Sequence, residues 1–149
     1  MVREYTEDRR NLMDLLLLAD EQEDMVERYI DRGTMYVIDD DAIKAECIVT
    51  DEGDGVLEIK NIAVSPAFQG KGYGKMLIDY IAEKYCKLFM CLQVGTGDSP
   101  LTIPFYEKCG FKRHHVVKDF FTENYDHPII EAGVQLVDMI YLRRQIGGR

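Results

Sequence analysis

The run Gln69-Gly70-Lys71-Gly72-Tyr73-Gly74-Lys75 constrains this chain more than any other stretch. Three glycines alternate with long side chains. An apolar segment, Ile62-Ala63-Val64, precedes the run and is closed by Ser65-Pro66, and a helical pattern from Met76 to Tyr85 follows. A strand, a glycine loop and a helix in that order form an anion clamp. Glycine lets the backbone approach a ligand closely, and the first N–H groups of a helix have no intrahelical partner and point outward. The expected occupant is the pyrophosphate of a nucleotide-containing molecule.

A chain of 149 residues, 46% of them hydrophobic, has enough apolar surface for one folded domain spanning 1–149. The Met1 end has no basic region followed by an apolar run, so no secretory signal is expected. The apolar stretch Leu15–Ala19 is far too short to span a bilayer. Cys47, Cys86, Cys91 and Cys109 form no CxxC pair and lack a histidine at ligand spacing. They are expected as reduced thiols of a cytoplasmic protein, with no metal site. The net charge is −9, and it is uneven: residues 1–65 carry 18 acids and 7 bases, the remainder 9 acids and 11 bases. Such a chain lacks the clustered lysine and arginine that nucleic acid requires. The acidic half either keeps the protein soluble or faces a cationic partner.

Local patterns order the elements. Val2–Tyr5 reads as a strand. Thr6 is a candidate cap for a helix over 7–19, with Leu12, Leu15, Leu16 and Ala19 on one stripe. Met25, Tyr29 and Ile30 mark a second helix stopped by Gly33. Met35–Ile38 and Ala42–Thr50 predict a hairpin, and Val56–Val64 a long strand ended by Pro66. A helix over about 72–85 leads to an apolar strand over Leu88–Val94. Ser99 or Asp98 is expected to cap a helix running to about Cys109, with Gly110 as its stop. Phe111–Lys118 reads as a strand in which His114 and His115 point to opposite faces. An aromatic loop follows over 120–132, and Val134–Leu142 is expected as the last strand.

Three clamps compete for the glycine loop. The dinucleotide fingerprint fails, because Lys75 stands where its third glycine belongs. A Walker A loop fails too: Gln69 replaces its first glycine, and Met76 replaces the Ser or Thr that would hold magnesium. The third is an acyl-CoA clamp. Ile62-Ala63-Val64-Ser65-Pro66-Ala67-Phe68-Gln69-Gly70-Lys71-Gly72-Tyr73-Gly74 resembles the core motif of the GNAT superfamily of acyl-CoA-dependent N-acyltransferases, in which an apolar strand and a proline precede [RQ]-x-x-G-x-[GA]. Phe105-Tyr106-Glu107-Lys108-Cys109-Gly110-Phe111 resembles that superfamily's F-Y-x-x-x-G-F motif. One helix and one strand separate the two, as in the superfamily.

The resemblance implies a mixed α/β (α+β) fold. Its sheet has roughly six or seven strands, with about four helices around it and two splayed parallel strands, 56–64 and 88–94, at the centre. It implies acetyl transfer from acetyl-CoA, as cosubstrate, to a primary amine of a small cationic molecule or peptide. Ile62, Ala63 and Val64 would hold the pantetheine arm at an unpaired strand edge and offer an N–H to the thioester oxygen. Gln69, Gly70, Lys71, Gly72, Tyr73, Gly74 and Lys75 would take the pyrophosphate. Asp98 stands where the superfamily often has Asn; an ionised carboxylate accepts but cannot donate. Tyr106 falls at the general-acid position and touches the donor there. Glu58 is the candidate base, six residues before Val64 and expected on the same strand face, with Lys60 close enough to hold it charged. A homodimer is expected through the last strand or the 120–132 loop. The alternative function is a non-catalytic acyl-CoA sensor or regulatory module.

Overall fold

Apolar alternation in the first half builds one end of a sheet. In the computed structural model, which describes residues 1–148 and leaves Arg149 of the expected unit outside, the strands are β1 (Val2–Glu4), β2 (Thr34–Asp39), β3 (Ile43–Gly53), β4 (Val56–Val64), β5 (Cys91–Gly97), β6 (Lys112–Val117), β7 (Ile130–Glu131), β8 (Val134–Gln135) and β9 (Met139–Gln145). The helices are α1 (Met13–Ala19), α2 (Glu23–Glu27), α3 (Tyr73–Tyr85), α4 (Ile103–Lys108) and α5 (Phe120–Asn124). Seven strands form one sheet in the order β1-β2-β3-β4-β5-β9-β6, and β7 with β8 makes a separate small hairpin. All neighbours in the large sheet run antiparallel except β4 and β5, which α3 connects in parallel.

The sheet has two covered faces. Leu77, Ile78 and Ile81 of α3 and Ile103 and Tyr106 of α4 pack on Cys47, Leu57, Ile59 and Leu92. Leu16 of α1 and Val26 of α2 join Ile30 on Met35, Val37 and Ile48 across the other face. Leu16 and Ile30 are fully buried, and each such side chain contributes roughly 1.5–3 kcal/mol on leaving water. Arg9 donates to the carbonyls of Ile30, Arg32 and Gly33, at 2.8, 2.6 and 2.8 Å, and so closes the chain end that follows α2.

Several expected elements sit elsewhere. Asp8, not Thr6, caps the first helical turn, accepting from Arg10 N at 3.0 Å; that turn is 3-10 over Arg9–Leu12 before α1 begins. β5 lies three residues later than its apolar run suggests: Leu88 and Met90 are exposed, and Gly95-Thr96-Gly97 stay in the strand. These glycines are small because neighbours cover them. A Cβ on Gly95 would lie 2.9 Å from Tyr141, and one on Gly97 2.6 Å from Leu136. α4 starts at Ile103 with Pro104 in its first turn, while Ser99 Oγ accepts from Leu101 N at 3.1 Å in the turn before it. The 120–132 loop holds α5 and β7, and Phe121 packs with Ile129 and Leu136 in a small core of its own. The last strand is β9, inserted between β5 and β6. Both its edges are paired, so it cannot make the dimer contact by strand addition; β6 is the outer edge on this side.

The arrangement that positions the site is the parting of β4 from β5. Their ladder runs from Val56 opposite Cys91 to Ile59 opposite Val94 and then ends. Beyond it, β4 stays with β3 and β5 stays with β9.

Candidate active site

A cavity of about 520 Å³ opens where β4 and β5 part. Ile62, Ala63 and Val64 form one wall and Gly95, Thr96 and Gly97 the opposite one. Thr102, Phe105 and Tyr106 close it from the α4 side. The α1–α2 turn and the segment from α5 to β8 close the other end, with Asp20, Glu21, Tyr125 and Glu131 among the lining residues. The Ile62–Val64 edge facing the cavity has no strand partner, so its backbone can take an extended ligand.

The glycine loop sits at one mouth of this cleft. Gly70 and Gly72 have φ of +77° and +87°, which other residues adopt only at a cost of about 1–2 kcal/mol. Gly72 is the N-cap of α3. The N–H groups from Gly70 to Lys75 find no backbone acceptor among the described residues, so they are free to meet an anion. Gln69 turns its amide back to Val64 O at 3.0 Å and ties the loop to the strand end. Lys75 pairs with Asp79 at 2.6 Å, and the Lys71 ammonium lies 5.8 Å from the centre of the Phe68 ring. Tyr73 packs edge-on to Phe68. Asp98 lies outside the cavity, exposed and 3.3 Å from Arg113.

Tyr106 is 7% exposed, and the residue lines the cavity. Burial pushes its phenol well above the usual range, helped by Cys109, Glu131 and Glu46. The hydroxyl therefore keeps its proton at neutral pH and has one to give.

Glu58 departs from the expected placement. Ile48 pairs with Asn61 but Val49 pairs with Ile59, so Lys60 is an extra residue in β4. The bulge resets the alternation. Ile59, Ile62 and Val64 face α3 and α4, whereas Glu58 and Asn61 are turned to the opposite face, the side of α1 and α2. Glu58 is buried, with Gln93 donating at 2.6 Å and the Lys60 ammonium at 2.9 Å. Lys60 also reaches Glu52 at 3.6 Å. Lys60 and Ile59 line the cavity and Glu58 does not; its carboxylate reaches the lining only through its contact with Lys60. A second bulge, at His114, undoes another parity expectation: the two histidines meet Nδ1 to Nδ1 at 2.8 Å instead of facing apart. Neither lines the cavity.

The acceptor end holds residues that the sequence does not single out. Tyr29 and Tyr125 both donate to Asp20, the former at 3.0 Å. Burial raises the Asp20 pKa, and the hydrogen bonds from Tyr125 and Tyr29 oppose the rise. Asn61 donates to Leu16 O at 3.0 Å and to Tyr29 at 2.8 Å. Thr96 and Thr102 share a 2.7 Å hydroxyl contact on the other wall. Asn61 alone had a visible signal, as an amide inside an apolar strand. The rest are brought together only by tertiary structure.

The cleft thus combines a parted pair of parallel strands, a helix capped by Gly72 and the buried Tyr106. The model of the acetyltransferase (GNAT) domain matches residues 31–113. The chain belongs to the GNAT acetyltransferase family. It is 39% identical over 134 residues to an uncharacterized N-acetyltransferase of Bacillus subtilis, YvbK, covering 88% of this chain and 86% of that one. A GNAT family acetyltransferase from Elizabethkingia anophelis, solved with acetyl-CoA bound, superposes with a TM-score of 0.90 at 32% identity over 97% of both chains. A Bacillus subtilis acetyltransferase in complex with CoA superposes with a TM-score of 0.88 at 36% identity, again over 97% of both. This GNAT protein therefore has the mixed sheet and helices of that family and is an acetyltransferase. No group of three or more His, Cys, Asp or Glu suited to a metal occurs among its described residues, and no helix there is long and apolar enough to cross a membrane.

Proposed function

We propose that the protein transfers an acetyl group from acetyl-CoA to a primary amine of a small cationic molecule or peptide. The observation that carries this reading is the unpaired Ile62–Val64 edge running into the cavity that Tyr106 lines. The free N–H groups of Gly70–Lys75 and the α3 N-terminus suit the pyrophosphate, with Lys71 adding charge. The Ile62–Val64 backbone suits the pantetheine arm and supplies an N–H to the developing oxyanion. Tyr106 gives its proton to the departing thiolate. Glu58, beside Lys60, takes the amine's proton through water. Asp98, which does not line the cavity and lies 3.3 Å from Arg113, is given no role in this proposal.

The two CoA-containing relatives support the donor, and the acidic rim at Asp20 and Glu21 supports a cationic acceptor. The four cysteines are all free thiols, which supports work in the cytoplasm. A homodimer is part of the same proposal, with the exposed β6 edge or the α5–β8 segment as its contact. The acetyltransfer reading is tested by incubating the protein with acetyl-CoA and a panel of amines while following free thiol. Amine-dependent thiol release is expected. Tight acetyl-CoA binding without release for every amine overturns it and leaves an acyl-CoA sensor.

A further inference from the structure

The two edges of the large sheet are finished differently. β1 is three residues long, and its Arg3 is neutralised by Asp39 and Glu7. β6 is six residues long, pairs only with β9 and leaves every one of its residues exposed. Its outward N–H and C=O groups find no backbone partner among the described residues. Val116 and Val117, 49% and 41% exposed, stand on its two faces. The edge is also cationic, in a chain of net charge −9. Lys112, Arg113 and Lys118 lie here beside His114 and His115, and the stretch 112–118 holds no acid. Arg113 reaches Asp98 at 3.3 Å, whereas Lys112 and Lys118 make no ion pair among the described residues. Lys112 stands directly opposite Arg143 of β9, and Arg143 donates to the neutral Gln93 at 2.7 Å rather than to a carboxylate. Like charges directly opposite each other on neighbouring strands are destabilising. A carboxylate held at Lys112 would relieve that repulsion. A lone edge lysine deters aggregation; a second cation facing it from the inner strand adds nothing to that role.

We propose that the β6 edge is a docking site for an acidic, extended peptide of another protein, which adds to the sheet as a further strand beyond β6. Backbone hydrogen bonds to the free edge supply affinity, and alternate side chains supply selectivity. Carboxylates set opposite Lys112 and Lys118 neutralise them, and apolar residues between cover Val116 and Val117. The register with β9 is regular from His115 to Val117, so this stretch presents an even edge, and the bulge at His114 bounds it. A second copy of β6 does not suit the site, because pairing two such edges would set these cations against each other. The homodimer contact then falls to the α5–β8 segment. None of residues 112–118 lines the cavity. Docking here therefore brings the acetyltransferase to a partner while leaving the cleft open.

A fluorescein-labelled short peptide of alternating glutamate and valine, titrated with the protein and followed by fluorescence anisotropy, tests this. Saturable binding that weakens with added salt is expected. Lys112→Glu combined with Lys118→Glu is expected to raise the Kd at least about tenfold, with the KM for acetyl-CoA unchanged. Both side chains are exposed, so the fold tolerates the change. The same peptide with its amides N-methylated keeps its charges but has no N–H to give the edge, and is expected to bind at least about tenfold more weakly. Absence of binding, a Kd for the charge-reversed variant within about twofold of wild type, or equal binding of the N-methylated peptide overturns the proposal. Equally tight binding of polyuridylate or of phosphatidylglycerol vesicles overturns it too, because β6 would then be a general polyanion surface. These titrations read binding alone, so their outcome stands whether or not any amine is acetylated.

Discussion

The ring of Phe105 rests on the backbone of Gly74: a Cβ built on that glycine would lie 3.1 Å from Phe105 Cζ. The two sequence motifs thus touch each other. The third glycine of the loop leaves room for the phenylalanine that precedes Tyr106. Gly70 and Gly72 have a different reason, since a Cβ on either meets nothing within 4 Å and only their positive φ demands glycine. Gly74→Ala is therefore expected to be nearly neutral, because a gain of up to about 1 kcal/mol in helix propensity offsets a small retreat of the ring. Gly74→Val drives Phe105 away and should cost about 1–3 kcal/mol in thermal unfolding, with weaker acetyl-CoA binding. Phe105→Ala in the same chain should recover part of that loss, as contacting residues couple. Additive losses in the double variant would remove the contact from the explanation.

Tyr106→Phe keeps the ring that packs with Phe105 and Phe111 and removes only the hydroxyl. Acetyl-CoA affinity should hold while kcat falls at least about tenfold. Because the wild-type phenol is pushed well above its usual range by burial, its proton is retained at neutral and mildly alkaline pH. The loss in kcat should therefore be the same across that interval. An unchanged turnover number removes Tyr106 from the mechanism.

Glu58→Gln preserves the size of the side chain and can still bond Gln93. If Glu58 takes the amine's proton, kcat should fall about 10²-fold or more while KM for acetyl-CoA stays constant. The variant's pH–rate curve should also lose its acidic limb. A curve of wild-type shape with a small drop would instead mark Glu58 as support for Lys60. Lys60→Met separates the two further. It removes the ammonium that lies 2.9 Å from the Glu58 carboxylate, so a fall in kcat as large as that of Glu58→Gln would mark the pair, and not the carboxylate alone, as the working unit.

Much of this site is legible in the residues, and the exceptions share a cause. The glycine loop, the F-Y-x-x-x-G-F segment and the long strand Val56–Val64 carry local signals, and the structure places all three at one cleft. Arguments from alternation break at Lys60 and His114, because each is an extra residue in its strand. A bulge is decided by how two strands meet, so one strand read alone cannot show it. β5 was displaced for a similar reason. Gly95 and Gly97 look like a turn until Tyr141 and Leu136 are seen covering them. Asp20 and Glu131 have no local signature: they come from segments over a hundred residues apart and meet only across the finished cavity.

The acidic rim predicts a salt dependence. Asp20 and Glu21 line the acceptor end, and residues 1–65 hold most of the protein's negative charge. For a dicationic amine, the acceptor's KM should rise several-fold as ionic strength goes from about 0.01 to 0.15 M, where the screening length shrinks from about 30 to 8 Å. The KM of a neutral amine should not move. Equal responses would leave the acidic half with solubility as its only role.

Glu46 makes stability depend on pH in a direction opposite to that of the exposed carboxylates. It is fully buried on β3, neither oxygen has a partner, and burial raises its pKa well above the ordinary value. The folded protein thus keeps a proton that the unfolded chain gives up above about pH 4.3. Its contribution is complete below that pH and declines as pH rises toward the folded pKa, by about 1.4 kcal/mol per pH unit for one proton. Asp20 has the same sign. Glu7, Asp31, Glu52 and Asp79 are lowered instead, so their contributions are lost only as pH falls below the usual carboxylate range. Between about pH 5 and 8 wild-type unfolding free energy should therefore decline with pH, and Glu46→Gln should flatten the slope. The stability gap between the two proteins should move steadily in the variant's favour as pH rises. Denaturant midpoints at several pH values read this directly. Parallel lines would mean that Glu46 ionises in the folded protein as easily as in the unfolded chain.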